Sequence, residues 1–164
     1  MRTGQPFFSI IVPTHARPRQ LAVCLDALTG LVYPRDRFEV IVVDDGSRTP
    51  PEEVVAPFRD RLNLTLLTQP NAGPATARNT GAARARGEVL AFTDDDCVPA
   101  PDWLGRLAER FDLSPDPMIG GQTVNMFPDN LYSTASQLLI TYLYTYYDTV
   151  HSRLPKIDAR YCFS

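Results

Sequence analysis

The stretch "EVLAFTDDDCVP", residues 88 to 99, places three consecutive carboxylates directly after a short apolar run. Val89 to Phe92 is typical of a buried parallel strand, because such strands are apolar on both faces. The aspartate triplet that follows consists of Asp94, Asp95 and Asp96, and no basic residue stands close to it in the sequence. The triplet therefore raises the question of what offsets its repulsion.

Repulsion within the aspartate triplet is large enough to need an explanation. Two unit charges about 4 Å apart repel by roughly 1 kcal/mol in water and about 4 kcal/mol at a protein surface. Hard divalent cations take carboxylate oxygens, so a cation or a phosphate-linked ligand is one explanation. The alternative is a solvated turn that leads into a helix, which Pro99, Pro101 and Asp102 also suggest.

The run before the triplet is one of four similar runs, separated by helical patterns. The predicted strands are Phe7 to Val12, Phe38 to Val43, Leu62 to Leu67 and Val89 to Phe92. The predicted helices are one after Pro18 with Leu21, Cys24, Leu25, Leu28 and Leu31 on one face, a weaker one from Pro51 to Arg61, one from Pro74 to Arg86, and one that buries Trp103, Leu104, Leu107, Ala108 and Phe111. This alternation predicts an α/β domain with an open, mostly parallel, Rossmann-like sheet, right-handed crossovers and helices on both faces.

Each predicted strand ends in a polar loop. The loops are Pro13 to Arg17, Asp44 to Ser47, Gln69 to Gly73 and the aspartate triplet. Ligands of open parallel sheets bind at the carboxyl ends of the strands. We therefore expect the triplet to share one cleft with the acids after the second strand and with arginines of the first and third helices.

Length, charge and cysteine content exclude several classes of protein. The 164 residues, 44% of them hydrophobic, suffice for one core. A formal charge of −3 and scattered arginines argue against nucleic acid as a partner. Three distant cysteines without metal-ligand spacing predict neither a disulfide framework nor a zinc site, and the N-terminus lacks the pattern of an export signal. A cytoplasmic setting is expected.

The segment Leu131 to Tyr147 is uncharged and rich in Tyr and Leu. It is short for a membrane span and contains Ser, Thr and Gln. We expect a helix that packs on its own domain or on another part of the protein, with self-association or a membrane surface as alternatives.

Other acid-bearing and phosphate-binding folds fit the sequence less well. It contains neither GxGxxG after the first strand nor GxxxxGK[ST], which argues against dinucleotide dehydrogenases and P-loop NTPases. Asp94, Asp96 and Val98 match the DxDx[TV] pattern of haloacid-dehalogenase-type phosphatases, but Lys156 is the one lysine and no later acidic pair follows. A receiver domain also needs a lysine at a later strand end. The phosphatase stays as an alternative, beside a non-catalytic nucleotide-binding or assembly module.

Four motifs in order resemble the family 2 glycosyltransferases: "FSIIVPTHARPRQLAVCLDAL", "FEVIVVDDGS", "NAGPATARNTGAARARG" and "EVLAFTDDDCVPAPDWL". The resemblance covers about Phe8 to Leu107. It implies the GT-A fold and an inverting transferase that uses a nucleotide-sugar donor, with a UDP-sugar as the expected one. The acceptor would be a saccharide, lipid or protein hydroxyl.

The resemblance also implies roles for individual residues. Pro13 and Thr14 would line the base and ribose pocket, with Arg17 close by. Asp45 would accept a hydrogen bond from a uracil-type imide, with Asp44 as a less certain neighbour, and Arg78 would lie near the base or diphosphate. Asp94 or Asp95 would face the ribose, and Asp96 would bind a Mg²⁺ or Mn²⁺ that bridges the two phosphates.

The resemblance further implies how the chain divides and what lies outside it. Residues 1–128 would form the donor-binding domain, and 129–164 would lead toward an acceptor-binding half. Inverting transfer needs a general base. The family takes that base from the acceptor-binding half, so we expect it beyond Ser164 in a longer protein, which would be cytoplasmic or peripheral at the inner face of the membrane.

Overall fold

A computed structural model describes residues 5–113, 124–125 and 127–151. The chain divides into two compact units, Met1–Ser114 and Pro115–Ser164. The first unit holds the predicted sheet and the second holds a long helix. The predicted boundary at residue 128 between donor-binding and acceptor-side functions stays a prediction.

The first unit contains four parallel strands in the order β3-β2-β1-β4. The strands are β1 (Phe8–Thr14), β2 (Phe38–Asp44), β3 (Leu64–Thr68) and β4 (Val89–Phe92). The helices are α1 (Pro18–Thr29), α2 (Glu52–Val55), α3 (Pro74–Arg84) and α4 (Trp103–Leu113). Four parallel strands flanked by helices confirm the predicted α/β fold class.

Helices cover both faces of this sheet. On one face, alternate residues of the strands pack with α1, α2 and α4 around a core that includes Leu25, Val40 and Leu104. On the other face, Ile41 and Val43 pack against Ala77 of α3. The chain moves from β1 to β3 in one direction and then returns to β4 on the far side of β1. This reversal puts α3 on the face opposite α1 when crossovers are right-handed.

Gly81 allows α3 to lie very close to the sheet. A Cβ at this position would stand 2.6 Å from Cγ2 of Ile11 and 3.2 Å from Cγ2 of Val43. Both neighbours belong to buried strands that cannot move aside. The absence of a side chain at Gly81 therefore sets the distance between α3 and the sheet.

Several predicted elements differ in their bounds from those observed: β1 extends to Thr14, α1 ends at Thr29 and so excludes Leu31, and α3 ends at Arg84. Two further differences have identifiable causes. The predicted helix from Pro51 to Arg61 is a four-residue α-helix followed by a 3-10 turn, Ala56–Phe58. Pro57 lacks the N–H that a continuing α-helix needs, so the helix stops there. β3 begins two residues later than predicted, because the N–H of Leu62 donates to the carbonyl of Phe58 at 2.8 Å and closes a turn.

The edge of the sheet where the strands begin, which we call the amino edge, contains a cluster in which the carboxylate of Glu39 is hydrogen-bonded to Ser9 and Arg86. Glu39 is 3% exposed. Its Oε1 accepts from the Ser9 hydroxyl at 2.7 Å and from the Arg86 N–H at 2.8 Å. Its Oε2 accepts from Nε and Nη2 of Arg86 at 2.9 and 2.7 Å. This cluster ties the segment after α3 to β1 and β2.

The second unit contains α5, Leu131–His151, as predicted for the Tyr/Leu-rich segment. The side chain of Asn130 caps its first turn by accepting from the N–H groups of Tyr132 and Ser133 at 3.0 and 3.1 Å. Its large apolar side chains, such as Leu138 and Tyr142, are exposed within the described part of the unit. No helix among the residues described has the length and apolar character needed to cross a membrane.

Candidate functional site: the carboxyl edge of the sheet

The loops after β1, β2, β3 and β4 meet at one edge of the sheet, which we call the carboxyl edge. The N–H of Asp45 donates to the carbonyl of Thr14, and the N–H of Gln69 donates to the carbonyl of Asp44. The Thr14 hydroxyl donates to Oδ2 of Asp95 at 2.7 Å. These bonds join all four loops, as expected from the strand ends.

Asp45 organises the loop between β3 and α3. Its Oδ1 accepts from Nε2 of Gln69 at 2.7 Å and from the N–H of Ala72 at 2.9 Å, and its Oδ2 accepts from the N–H of Gly73 at 2.8 Å. Burial works to raise the pKa of Asp45, but these hydrogen bonds outweigh it and hold the pKa below its usual value. Asp45 is therefore an ionised acceptor that has bonding capacity left on Oδ2.

Gln69 and Thr80 were not predicted as site residues. The Thr80 hydroxyl donates to Oε1 of Gln69 at 2.6 Å, which orients the amide so that Nε2 faces Asp45. Gln69 opens a polar loop that the sequence did place at a strand end, but Thr80 lies inside a helix. No sequence signal pointed to Thr80, because its role depends on how α3 packs.

Asp44 closes the turn after β2. Its Oδ1 accepts from the N–H of Ser47 at 3.1 Å and from the Ser47 hydroxyl at 2.5 Å. Asp44 is fully buried, and its Oδ2 has no hydrogen-bond partner among the residues that the structure describes. The observed bonds of Asp44 are those of a turn cap.

The aspartate triplet meets two arginines from distant parts of the chain. Nη2 of Arg78 on α3 contacts Oδ1 of Asp94 at 2.5 Å. Nη1 of Arg17 contacts Oδ2 of Asp96 at 3.0 Å and Oδ1 of Asp95 at 3.4 Å. Two guanidinium groups thus offset part of the repulsion within the triplet. The sequence suggested a cation or a phosphate-linked ligand for that role. The predicted proximity of the triplet to arginines is observed for Arg78 of α3 and for Arg17, which directly precedes α1.

The three carboxylates differ in their access to solvent. Asp95 is 3% exposed, whereas the side chain of Asp96 is 53% exposed. Burial raises the pKa of Asp95, against the opposing effects of the Thr14 hydroxyl and Arg17. Asp96 is consequently the member of the triplet that a ligand reaches most easily.

The remaining predicted residue, Pro13, lies inside β1. It is buried and stands opposite Val43 in the parallel register. Alternation along the strand places it on the same face as Ile11, which α3 covers. Pro13 and Thr14 are the last two residues of β1 and so lie at the carboxyl edge.

The carboxylates of the triplet have the right chemistry for a divalent cation, but they do not form a complete cage. In the part of the chain that the structure describes, no three His, Cys, Asp or Glu side chains are grouped to hold a metal ion. Mg²⁺ is commonly held by one or two carboxylates together with substrate phosphates. The exposed carboxylate of Asp96 fits a cation of that kind.

Open parallel α/β sheets bind their ligands at the carboxyl edge, where these polar loops lie. The family model of glycosyl transferase family 2 matches residues 9–163. The chain therefore belongs to glycosyl transferase family 2, as its motifs predicted. Family membership favours a glycosyltransferase over the haloacid-dehalogenase-type phosphatase.

Among its relatives is the glycosyltransferase AglE of Haloferax volcanii, 33% identical over 132 residues, which are 79% of this chain and 43% of AglE. A crystal structure of Staphylococcus aureus TarS 1-349 with UDP-GlcNAc superposes with a TM-score of 0.63 at 31% identity, covering 74% of this chain and 38% of that one.

The mannosyltransferase PcManGT from Pyrobaculum calidifontis, in complex with GDP-Man and Mn²⁺, superposes with a TM-score of 0.61 at 34% identity. The match covers 72% of this chain and 35% of that one. These neighbours are GT-A glycosyltransferases, which confirms the predicted fold family. The chain spans less than half the length of each relative described.

Proposed function

We propose that this protein takes part in the transfer of a sugar from a nucleotide diphosphate donor to an acceptor hydroxyl, with inversion and with a divalent cation. The observation that carries the proposal is the convergence of Asp45, Arg78 and the aspartate triplet at the carboxyl edge. A UDP-sugar is the proposed donor. The acceptor belongs to the saccharides, lipids or proteins that bear hydroxyl groups.

Base recognition is assigned to the end of β1 and to Asp45. The ionised Asp45 can accept from an N–H of the base, such as the imide of uracil, through the remaining capacity of Oδ2. Cytosine presents an acceptor at the same ring position, so this pairing favours uridine over cytidine nucleotides. Pro13 and Thr14 would lie beside the base and ribose.

The diphosphate is assigned to the arginines and the triplet. A guanidinium group can donate two parallel hydrogen bonds to phosphate oxygens, and Arg78 and Arg17 both lie at this edge. Asp94 or Asp95 would face the ribose, and Asp96 would hold the cation. A divalent cation, Mg²⁺ or Mn²⁺, supplies positive charge that stabilises the leaving diphosphate. We assign the general base to none of the residues described.

Calorimetry with UDP in the presence and absence of Mn²⁺ tests this proposal. We expect UDP to bind with Mn²⁺ and to lose on the order of tenfold or more in affinity in Asp96→Ala. Asp60→Ala changes an exposed aspartate elsewhere and should retain wild-type affinity. GDP and CDP in the same titrations test the choice of base.

A UDP affinity that does not depend on Mn²⁺, or equal UDP affinities of Asp96→Ala and wild type, would contradict the assigned cation site. Binding of none of the three nucleotides, with or without Mn²⁺, would contradict the proposed function as a whole and favour a non-catalytic module.

For α5, we propose that the exposed apolar residues within 131–147 mediate self-association or contact a membrane surface. Sedimentation tests the first and vesicle flotation tests the second.

A further inference from the structure

Arg17 occupies an unusual place at the carboxyl edge. It directly precedes α1 and follows Ala16, whose φ of 53° lies in the left-handed region. The N–H of Ala16 donates to the Ser47 hydroxyl at 2.8 Å, which ties this reversal to the turn after β2. The chain reversal directs the Arg17 guanidinium toward Asp96, the most exposed member of the triplet.

A cation and Arg17 are attracted to the same carboxylate, that of Asp96. A hydrogen bond from Nη1 uses Oδ2 of Asp96 and a weaker contact uses Oδ1 of Asp95. A divalent cation bound to the remaining lone pairs of Asp96 would lie close to the guanidinium group, and two positive groups at short distance repel each other. Arg17 therefore opposes binding of the cation unless it moves away.

Arg17 can move more easily than Arg78. The side chain of Arg17 is 53% exposed, whereas that of Arg78 is 31% exposed and belongs to a helix packed closely on the sheet. Asp95 would keep its hydrogen bond from Thr14 when Arg17 leaves. The acidic loop thus stays anchored while its most exposed carboxylate becomes available.

We propose that Arg17 is an internal counter-ion that competes with the divalent cation for Asp96 and so sets the cation affinity of the site. This inference rests on the proposed function, which makes Asp96 a cation ligand. Arg17 weakens cation binding until the cation and a diphosphate arrive together, because the guanidinium can then move from the carboxylate to a phosphate oxygen. The protein should accordingly discriminate against the free metal ion.

Titration of Mn²⁺ alone, followed by the electron paramagnetic resonance signal of the free ion, tests this competition. Arg17→Gln should bind Mn²⁺ roughly two- to fivefold more tightly than wild type, the size expected for loss of an exposed ion pair. The gain should shrink at high salt, which already screens the pair. Arg17→Lys keeps the charge and should stay close to wild type.

Two controls make the result specific. Arg19→Gln removes a neighbouring exposed arginine and should leave Mn²⁺ affinity unchanged. Combining Arg17→Gln with Asp96→Ala should abolish the gain, because the competition involves that carboxylate. Thermal unfolding of each variant verifies that it is folded.

Equal or weaker Mn²⁺ affinity in Arg17→Gln would overturn the inference, as would undetectable Mn²⁺ binding by that variant. Either result can occur while UDP still binds with Mn²⁺ in calorimetry, and the proposed function then stands. Failure of the wild-type protein to bind any of the nucleotides, in contrast, would contradict the proposed function itself.

Discussion

The two edges of the sheet both pair carboxylates with arginines, but the pairs differ in how completely they are bonded. At the amino edge, Glu39 is buried and accepts four hydrogen bonds, three of them from Arg86. At the carboxyl edge, Asp96 is half exposed and the structure gives it one contact, with Arg17. A carboxylate accepts about four hydrogen bonds, so Glu39 is saturated and Asp96 is not.

The pKa shifts distinguish two of the buried carboxylates, Glu39 and Asp95. Burial works to raise the pKa of Glu39, but the hydrogen bonds from Arg86 and Ser9 outweigh it and lower the pKa. Burial prevails at Asp95, whose pKa is raised. The protein's own donors thus outweigh the effect of burial at Glu39 but not at Asp95. The degree to which hydrogen bonds saturate a carboxylate, more than the type of residue, distinguishes the Glu39 cluster from the candidate binding site at Asp96.

Helix α3 connects the two edges, so displacing it should damage both. Gly81→Val should lower the free energy of unfolding by about 3 kcal/mol, because its side chain would overlap Ile11 and Val43. UDP affinity should fall too, since Arg78 lies on the same helix. Urea denaturation followed by circular dichroism measures the first effect. Ala83→Val, on an exposed part of α3, is the matched control, and equal losses in both variants would disprove the close-packing argument.

Removing the fully hydrogen-bonded carboxylate of Glu39 should lower the stability of the protein without changing its nucleotide affinity. Glu39→Ala leaves Ser9 and the N–H of Arg86 without their acceptor, and we expect a loss of about 2 kcal/mol. The nucleotide affinity of the folded variant should equal that of wild type, because the amino edge is about 17 Å along β2 from Asp44. Glu53→Ala removes an exposed glutamate as a control. A change in UDP affinity would contradict the separation of the two edges.

The smallest expected effect is the pH dependence of the stability that Glu39 contributes. The pKa of Glu39 is lower in the folded protein than its ordinary value of 4.5, so ionised Glu39 contributes stability that is complete above that value. This contribution is lost as the pH falls toward the folded pKa. Glu39→Gln cannot titrate, so the stability difference between wild type and variant should be larger at about pH 7 than at about pH 3. Urea midpoints at several pH values measure it, and a constant difference would refute the assigned shift.

Much of the fold was predictable because its signals are local. The runs at β1, β2 and β4 and the apolar face of α1 were located correctly, as was the order of elements that makes the sheet parallel. The failures occurred where a single residue overrides a pattern. Pro57 ends α2 early, and Leu62 enters a turn because a backbone hydrogen bond is available there.

The candidate site was predictable in a coarser way. Polar loops after parallel strands predicted that Asp45, Arg78 and the aspartate triplet would come together, since parallel strands end at one edge. The partners of each carboxylate were not predictable. Arg17 and Asp96 are far apart in the sequence, and the choice between a saturated and an open carboxylate depends on side-chain directions that no local pattern specifies.

The α/β class, the family and the edge of the sheet that carries the polar loops follow from the sequence alone, because apolar periodicity, motif order and strand ends are encoded locally. What offsets the charges of the aspartate triplet depends on the folded arrangement. Arg17 and Arg78 reach the triplet across the fold, and Coulomb interactions depend on distance in space, which separation along the chain does not report.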